Sequence, residues 1–304
     1  MVYIGQMECY EKGSEIAEKL MNVETNDTAI YRLTDKIGSQ CKSLDEEEQE
    51  DFRIPIELKE KEYLYVESDG SMLLTRTSGW KEVKLGRIFK STAIYPQSTD
   101  RQWLRDSEYI AHLGSHREFE DQMSKLIDGP YKKCAGCIVF VTDGAKWQWN
   151  WVDAEYPEAI QILDFYHAME NIGRFVKVWL KNKEEVKKMM KKLGHILKHK
   201  GIDTLENYLA NIPKKTKAQK DEYVKLMTYI TNNRSRMNYP KYLSMGLLIG
   251  SGAIESAHRT VLQRRMKLSG QRWSINGLEN MIKLRTIKMS GYWDKIVSII
   301  RKAA

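Results

Sequence analysis

Cysteine is scarce in this sequence: Cys9, Cys41, Cys134 and Cys137 are the four among 304 residues. Four cysteines are too few for a disulfide scaffold and fit a reducing compartment. Cys134-x-x-Cys137 has the spacing of half a zinc site. No second Cys-x-x-Cys or Cys/His pair follows at finger spacing, so two thiols at a strand entry is the better reading. No run of 18 apolar residues occurs, which excludes a membrane-spanning helix. The opening MVYIGQMECYEKG lacks the basic-then-apolar order of a secretory signal. The expectation is a cytoplasmic protein with no membrane partner.

Acidic residues are the next shortage, and it is local. Residues 174–241 hold 18 Lys/Arg against 6 Asp/Glu, and residues 258–304 hold 11 against 2. Residues 1–60 reverse the balance, with 7 against 15. A basic C-terminal half points toward a polyanion, nucleic acid first among them. The plain alternative is that Lys-rich helices are solvated faces.

Hydrophobic spacing organises the rest. Residues 12–42 read as helical, with Ile16, Leu20, Ile30, Leu33 and Ile37 near a 3.6-residue period. The order Ala17, Leu20, Thr28-Ala29-Ile30-Tyr31-Arg32 has the outline of a helix-turn-helix, although an acidic segment argues against a DNA role. The run DEEEQED (Asp45 to Asp51) reads as a solvated linker. The period then changes to two. Glu62–Glu67, Met72–Thr77 and Val83–Lys90 are predicted as three strands of an antiparallel meander, broken at Asp69-Gly70 and Ser78-Gly79. Residues 102–127 are predicted to be helical. Cys137 to Val141 is an apolar, β-branched run of the kind buried on both faces, and Ile160 to Leu163 is a short fifth strand. The stretch from Phe165 to Tyr239 is helical and Lys-rich, Pro213 divides it, and helices at 253–268 and 274–302 follow. This order predicts an α/β fold with a mixed sheet flanked by helices.

Within that frame three carboxylates stand out. The strand at 137–142 delivers Asp143 and then Gly144, and Asp69-Gly70 is expected at another strand end. Asp-Gly after a strand is common punctuation. It is also where open α/β sheets place their chemistry. The helix in GSGAIESAHRTVLQRR carries Glu255 in its first turns and Arg259 four residues on, on one face. Three carboxylates converging on one point repel one another and call for a divalent cation. Two Mg²⁺ ions would suit phosphodiester chemistry.

The sequence resembles the ISKra-type insertion-sequence transposases, which are DDE enzymes with an RNase H-like core. The stretches that carry the resemblance are VESDGSM, GWKEVKLGRIF, YIAHLGSHREF, VTDGAKWQW, YPEAIQILDFYHAMENI and IGSGAIESAHRTVLQRRMKLSGQRWS, in order from Val66 to Ser274. The resemblance implies that Asp69, Asp143 and Glu255 are the DDE triad, holding two Mg²⁺ or Mn²⁺ ions. It implies that the helical stretch is an all-α insertion before the Glu-bearing helix. The domains would be an acidic N-terminal segment at 1–52, an RNase H-like core at 53–170, the insertion at 171–245, and core helices at 246–304. Asp164-x-x-His167 looks like the Asp-x-x-His signature that follows the second Asp in several such families, and is carried over as active-site support. The implied partners are double-stranded DNA, as element ends and target, and a second copy or more of the chain on that DNA. The implied location is the nucleoid of a prokaryotic cytoplasm.

Asp164 rivals Asp143 as the second ligand, because it too follows an apolar run, and Glu67 is an alternative to Asp69. The alternation Trp147, Trp149, Trp151 would suit base stacking, but core is the expectation for at least two of the three. Arg259, Arg264, Arg265, Lys267, Arg272 and Trp273 follow Glu255 and are the expected DNA contacts. A second reading is a DNA-binding protein that no longer catalyses. Its motive is that relatives carry a Cys-rich element and a helical DNA-binding unit ahead of the core, where this sequence shows an acidic helical stretch.

Overall fold

The computed structural model describes residues 1–43, 62–98, 101–131 and 137–303, so the DEEEQED linker and Cys134 lie outside the described residues. The chain divides into two compact units, Met1–Ile138 with Gly252–Ala304, and Val139–Ser251. The fold is mixed α/β, with antiparallel strands in the first unit and parallel ones in the second.

In the first unit β1 (Leu64–Leu74) pairs antiparallel with β2 (Trp80–Lys90), from Leu64 opposite Lys90 to Leu74 opposite Trp80. One strand therefore replaces the two expected at 62–67 and 72–77. Asp69 and Gly70 sit inside it, opposite Leu85 and Lys84, because β2 is long enough to pair all eleven residues. The break at Ser78-Gly79 holds, with Gly79 at φ +66.

Residues 102–104 and 108–113 are strands, joined by a bend at Asp106, where helix was predicted. β3 (Ile94–Ser98) and β4 (Arg101–Leu104) form a ribbon, β5 (Glu108–Leu113) pairs antiparallel with β2, and helix begins only at His116. The physical reason is alternation: Tyr109, Ala111 and Leu113 project to one face, which a strand can bury and a helix cannot.

That face is covered by the C-terminal segments: α11 (Gly252–Ala257), a π-helical turn (His258–Gln263) and α12 (Ile275–Met289). Leu73, Val83 and Leu85 pack there with Ile254, Ala257, Val261, Leu262 and Leu278. On β2, Gly86 allows the approach of α4 (His116–Tyr131), since a Cβ would lie 2.3 Å from Met123 Sδ.

The N-terminal helices α1 (Val2–Met7), α2 (Tyr10–Met21) and α3 (Asp27–Gln40) match the helical reading of 12–42 and add a turn before it. They pack on the C-terminal helices, with Val2, Ile37 and Cys41 against Leu284 of α12 and Ile296 of α13 (Trp293–Ala303). Asn280 Nδ2 donates to Asp35 Oδ1 at 2.8 Å.

The second unit starts with the expected strands. β6 (Ile138–Thr142) and β7 (Ile160–Leu163) are parallel, in register from Val139 opposite Ile160 to Thr142 opposite Leu163. Between them α5 (Lys146–Glu155) buries Trp149 and Trp151 and leaves Trp147 half-buried, which answers the tryptophan alternation as core. Then come α6 (Phe165–Trp179), α7 (Lys183–Lys200), α8 (Ile202–Ala210), α9 (Lys217–Asn233) and α10 (Tyr239–Ser244). Asn182 caps α7 and a Thr216/Gln219 capping box opens α9. Among the described residues no helix is long and apolar enough to cross a membrane.

Candidate active site

In the second unit, two parallel strands end side by side and each is followed by an aspartate. Asp164 N donates to Thr142 O at 2.7 Å, which ties the two strand ends together. Asp143 is half-buried, and its Oδ1 accepts the Ala145 N–H at 3.1 Å across a turn. Gly144, at φ +97, makes that turn; the backbone there is one that residues with a Cβ rarely adopt.

Asp164 has another role. It is only 1% exposed and is the N-cap of α6. Its Oδ1 accepts the His167 N–H at 2.6 Å and lies 3.1 Å from His167 Nδ1, while Oδ2 accepts the Ser251 N–H. Burial pushes its pKa up, but the hydrogen bonds from His167 and Ser251 outweigh it and hold the carboxyl below the usual range. Both oxygens are engaged by N–H donors, so Asp164 is a cap and an anchor, poorly suited to ligate an ion. His167, bonded to Asp164 and also near Asp143 and Glu170, is raised to about 9 despite partial burial, so it is an imidazolium at neutral pH. The Tyr229 hydroxyl is buried nearby; burial, with Asp143 and Asp164 adding to it, pushes its pKa up.

In the first unit the alternation of β1 puts Glu67, Asp69, Ser71 and Leu73 on the face that α11 covers. Glu67 Oε2 accepts the Ile254 N–H at 2.8 Å in the first turn of α11. Its cross-strand neighbour Arg87 donates from Nη1 to Ala253 O at 2.7 Å and from Nε to Ser107 Oγ at 3.0 Å. A buried acid and a buried base thus grip the N–H and the C=O of one peptide group, Ala253–Ile254, at the start of the Glu255 helix. Asp69 Oδ1 accepts the N–H of Gly70 at 2.7 Å, and Oδ2 lies 3.3 Å from His258 Nε2. His258 is 4% exposed, and burial lowers its pKa against the opposing pull of Asp69. It lies at the start of the π-helical turn, a feature common at functional sites. Glu255 is exposed.

The oxygen donors Asp69, Asp143 and Glu255 are of the kind Mg²⁺ or Mn²⁺ prefers. Even so, among the described residues no group of three or more His, Cys, Asp or Glu is positioned to hold a metal ion.

Of the expected DNA contacts, Arg259, Arg264, Lys267 and Arg272 are exposed. Arg265 and Trp273, expected at the DNA surface, are instead turned inward. Arg265 is 0% exposed, donates from Nε to Gly5 O at 2.9 Å, and stacks over Tyr10 and Trp273. Trp273 is buried and donates from Nε1 to Met266 O at 3.1 Å. Both serve the packing of the N-terminal helices on the C-terminal segment, which sequence spacing alone does not reveal.

Sequence reasoning passes over Arg87 and His258. The signal for Arg87 is a charge set between Leu85-Gly86 and Ile88-Phe89. For His258 it is the three-residue spacing from Glu255 in GAIESAH.

A mixed α/β fold with a carboxylate at the tip of a parallel strand, and others on a sheet face beneath a helix, is the class these observations define. Over residues 5–302 the chain matches the uncharacterised protein family UPF0236, and it belongs to that family. The family is associated in general with transposase-like proteins. No curated protein matches the chain.

Proposed function

We propose that the chain is a DDE-class transposase of the ISKra type that cleaves phosphodiester bonds at the ends of its element and joins them to target DNA. The observation that carries the reading is the pair of strand tips: Asp143 stands half-buried at the end of β6, while its neighbour Asp164 is committed to capping α6. Membership of a family associated with transposase-like proteins supports it. On this reading the strands and helices are an RNase H-like core with a helical insertion at 171–245. Asp69, Asp143 and Glu255 are its three carboxylates, Mg²⁺ or Mn²⁺ its cofactor, and double-stranded DNA its substrate, bound by a dimer or larger assembly in the nucleoid.

The chain's own residues have definable tasks. Gly144 and the Ala145 N–H orient the Asp143 carboxylate. Asp164 keeps His167 charged, and an imidazolium beside Asp143 favours an approaching phosphodiester. Glu67 and Arg87 fix the first turn of the helix bearing Glu255.

A Mg²⁺-dependent nicking assay on duplex DNA from the flanks of the coding sequence tests the proposal. Asp143→Asn is expected to lose about 100-fold or more of the nicking rate. Full activity in that variant would remove Asp143 from the chemistry. A second reading, a DNA-binding protein without catalysis, rests on the basic segments 174–241 and 258–304 alone. It predicts DNA binding with no nicking in the wild-type chain.

A further inference from the structure

The sequence of α7 concentrates positive charge more than any fold requirement explains. Leu193, Ile196 and Leu197 are buried, and they define one side of the helix. At 100° per residue, Lys187, Lys188, Lys191, His195 and Lys198 fall on the opposite side. Of these, Lys198 is half-buried and the other four are exposed.

Two observations separate this stripe from an ordinary solvated face. A surface helix stabilised by its charges alternates them as i,i+4 pairs of opposite sign. Glu184 stands four residues before Lys188, but beyond it the stripe repeats one sign, Lys187 and Lys191 four apart and Lys188 and Lys191 three apart, and among the described residues none of Lys187, Lys188, Lys191 and Lys198 is in an ion pair. The acidic residues of the helix, Glu184 and Glu185, lie in its first turn, at the dipole's positive end. Like charges at the spacings of Lys187, Lys188 and Lys191 weaken a helix, so that part of the stripe does not stabilise the fold. Lys192, at the flank, is different: it donates to Tyr208 Oη at 3.1 Å and sits over that ring at 4.4 Å.

We infer that the exposed lysine face of α7 is a docking surface for the sugar-phosphate backbone of duplex DNA. From Lys187 to Lys198 the helix rises about 17 Å, the axial length of about five base pairs. A bilayer is the other polyanionic surface a basic helix can meet, but that mode needs an apolar face to insert. The apolar face of α7 is buried within its own unit. Lysines without a fork geometry serve as point charges for phosphates and carry no base readout, so the surface holds DNA of any sequence.

This inference rests on the DNA reading above, and the test separates the two. The dissociation constant of the full chain for a 20-base-pair duplex of arbitrary sequence is measured between 50 and 200 mM salt. The comparison is the variant Lys187→Gln, Lys188→Gln, Lys191→Gln, Lys198→Gln. The expected result is a fall of about 3 to 4 in the slope of log K against log salt, at about 0.9 for each phosphate the variant no longer neutralises. The variant's melting temperature should be no lower than the wild type's, because repulsion has been relieved. An unchanged slope in a variant that still binds duplex overturns the surface and leaves the DNA reading intact. Absence of duplex binding by the wild-type chain overturns both. Binding of the wild-type chain to phosphatidylserine vesicles in place of duplex, lost in the variant, overturns the choice of partner.

Discussion

At Asp143 and Asp164 the same residue type, one position past two neighbouring parallel strands, meets different surroundings. Asp164 is enclosed by N–H donors, and Asp143 has a glycine turn at its back. The consequence for pH is readable at His167. Its folded pKa of about 9 lies above the ordinary 6.5, so its contribution to stability is full below about pH 6.5 and is lost as pH rises through 9. Asp164, held low, contributes above its ordinary value and loses that contribution as pH falls beneath it. Thermal unfolding followed from pH 6.5 to 9.5 should show a falling midpoint, and His167→Gln should flatten that slope. At Gly144, substitution by alanine forces a Cβ to 2.9 Å from Leu163 Cδ1 at φ +97. Denaturant titration of Gly144→Ala is expected to show a loss of about 1–3 kcal/mol.

The elements differ in how far their sequences announce them. β6 and β7 are legible because buried parallel strands read as short apolar runs, and the helices from Phe165 onward because their period is sustained. β1 reads as two strands because Asp69-Gly70 has the composition of a turn. Its true register depends on β2, a partner that local spacing does not contain. β5 escapes notice for a related reason: six residues of alternation next to a long helix merge with the helical pattern. Of the site, Asp143 and its turn are legible in sequence. The engagement of Glu67 and Arg87 with the backbone of α11 is not, since it joins positions far apart along the chain. Glu67→Ala leaves Arg87 buried without its cross-strand acid and frees the Ile254 N–H, so a loss of about 3–5 kcal/mol is expected from denaturant unfolding. Arg87→Lys should recover little, because one ammonium cannot reach both Ala253 O and Ser107 Oγ in the geometry of the guanidinium.

Across the whole molecule, the distribution of charge and the chemistry of the proposed donors are compatible with one reading. The basic segments 174–241 and 258–304 suit a polyanion, and the three acids of the proposed triad are hard oxygen donors. Arg265 and Trp273 show the limit of reading charge from sequence, for a basic residue and an aromatic in a basic run turn inward to hold α1 and α2. The central claim is that Asp69 and Asp143 belong to one ion-dependent function. Calorimetric titration of Mn²⁺ into the wild-type chain, Asp69→Ala and Asp143→Ala tests it directly. The account predicts binding by the wild-type chain and a loss of affinity of about 10-fold or more in each variant. Unchanged Mn²⁺ affinity in both variants, or no binding by the wild-type chain, would contradict it.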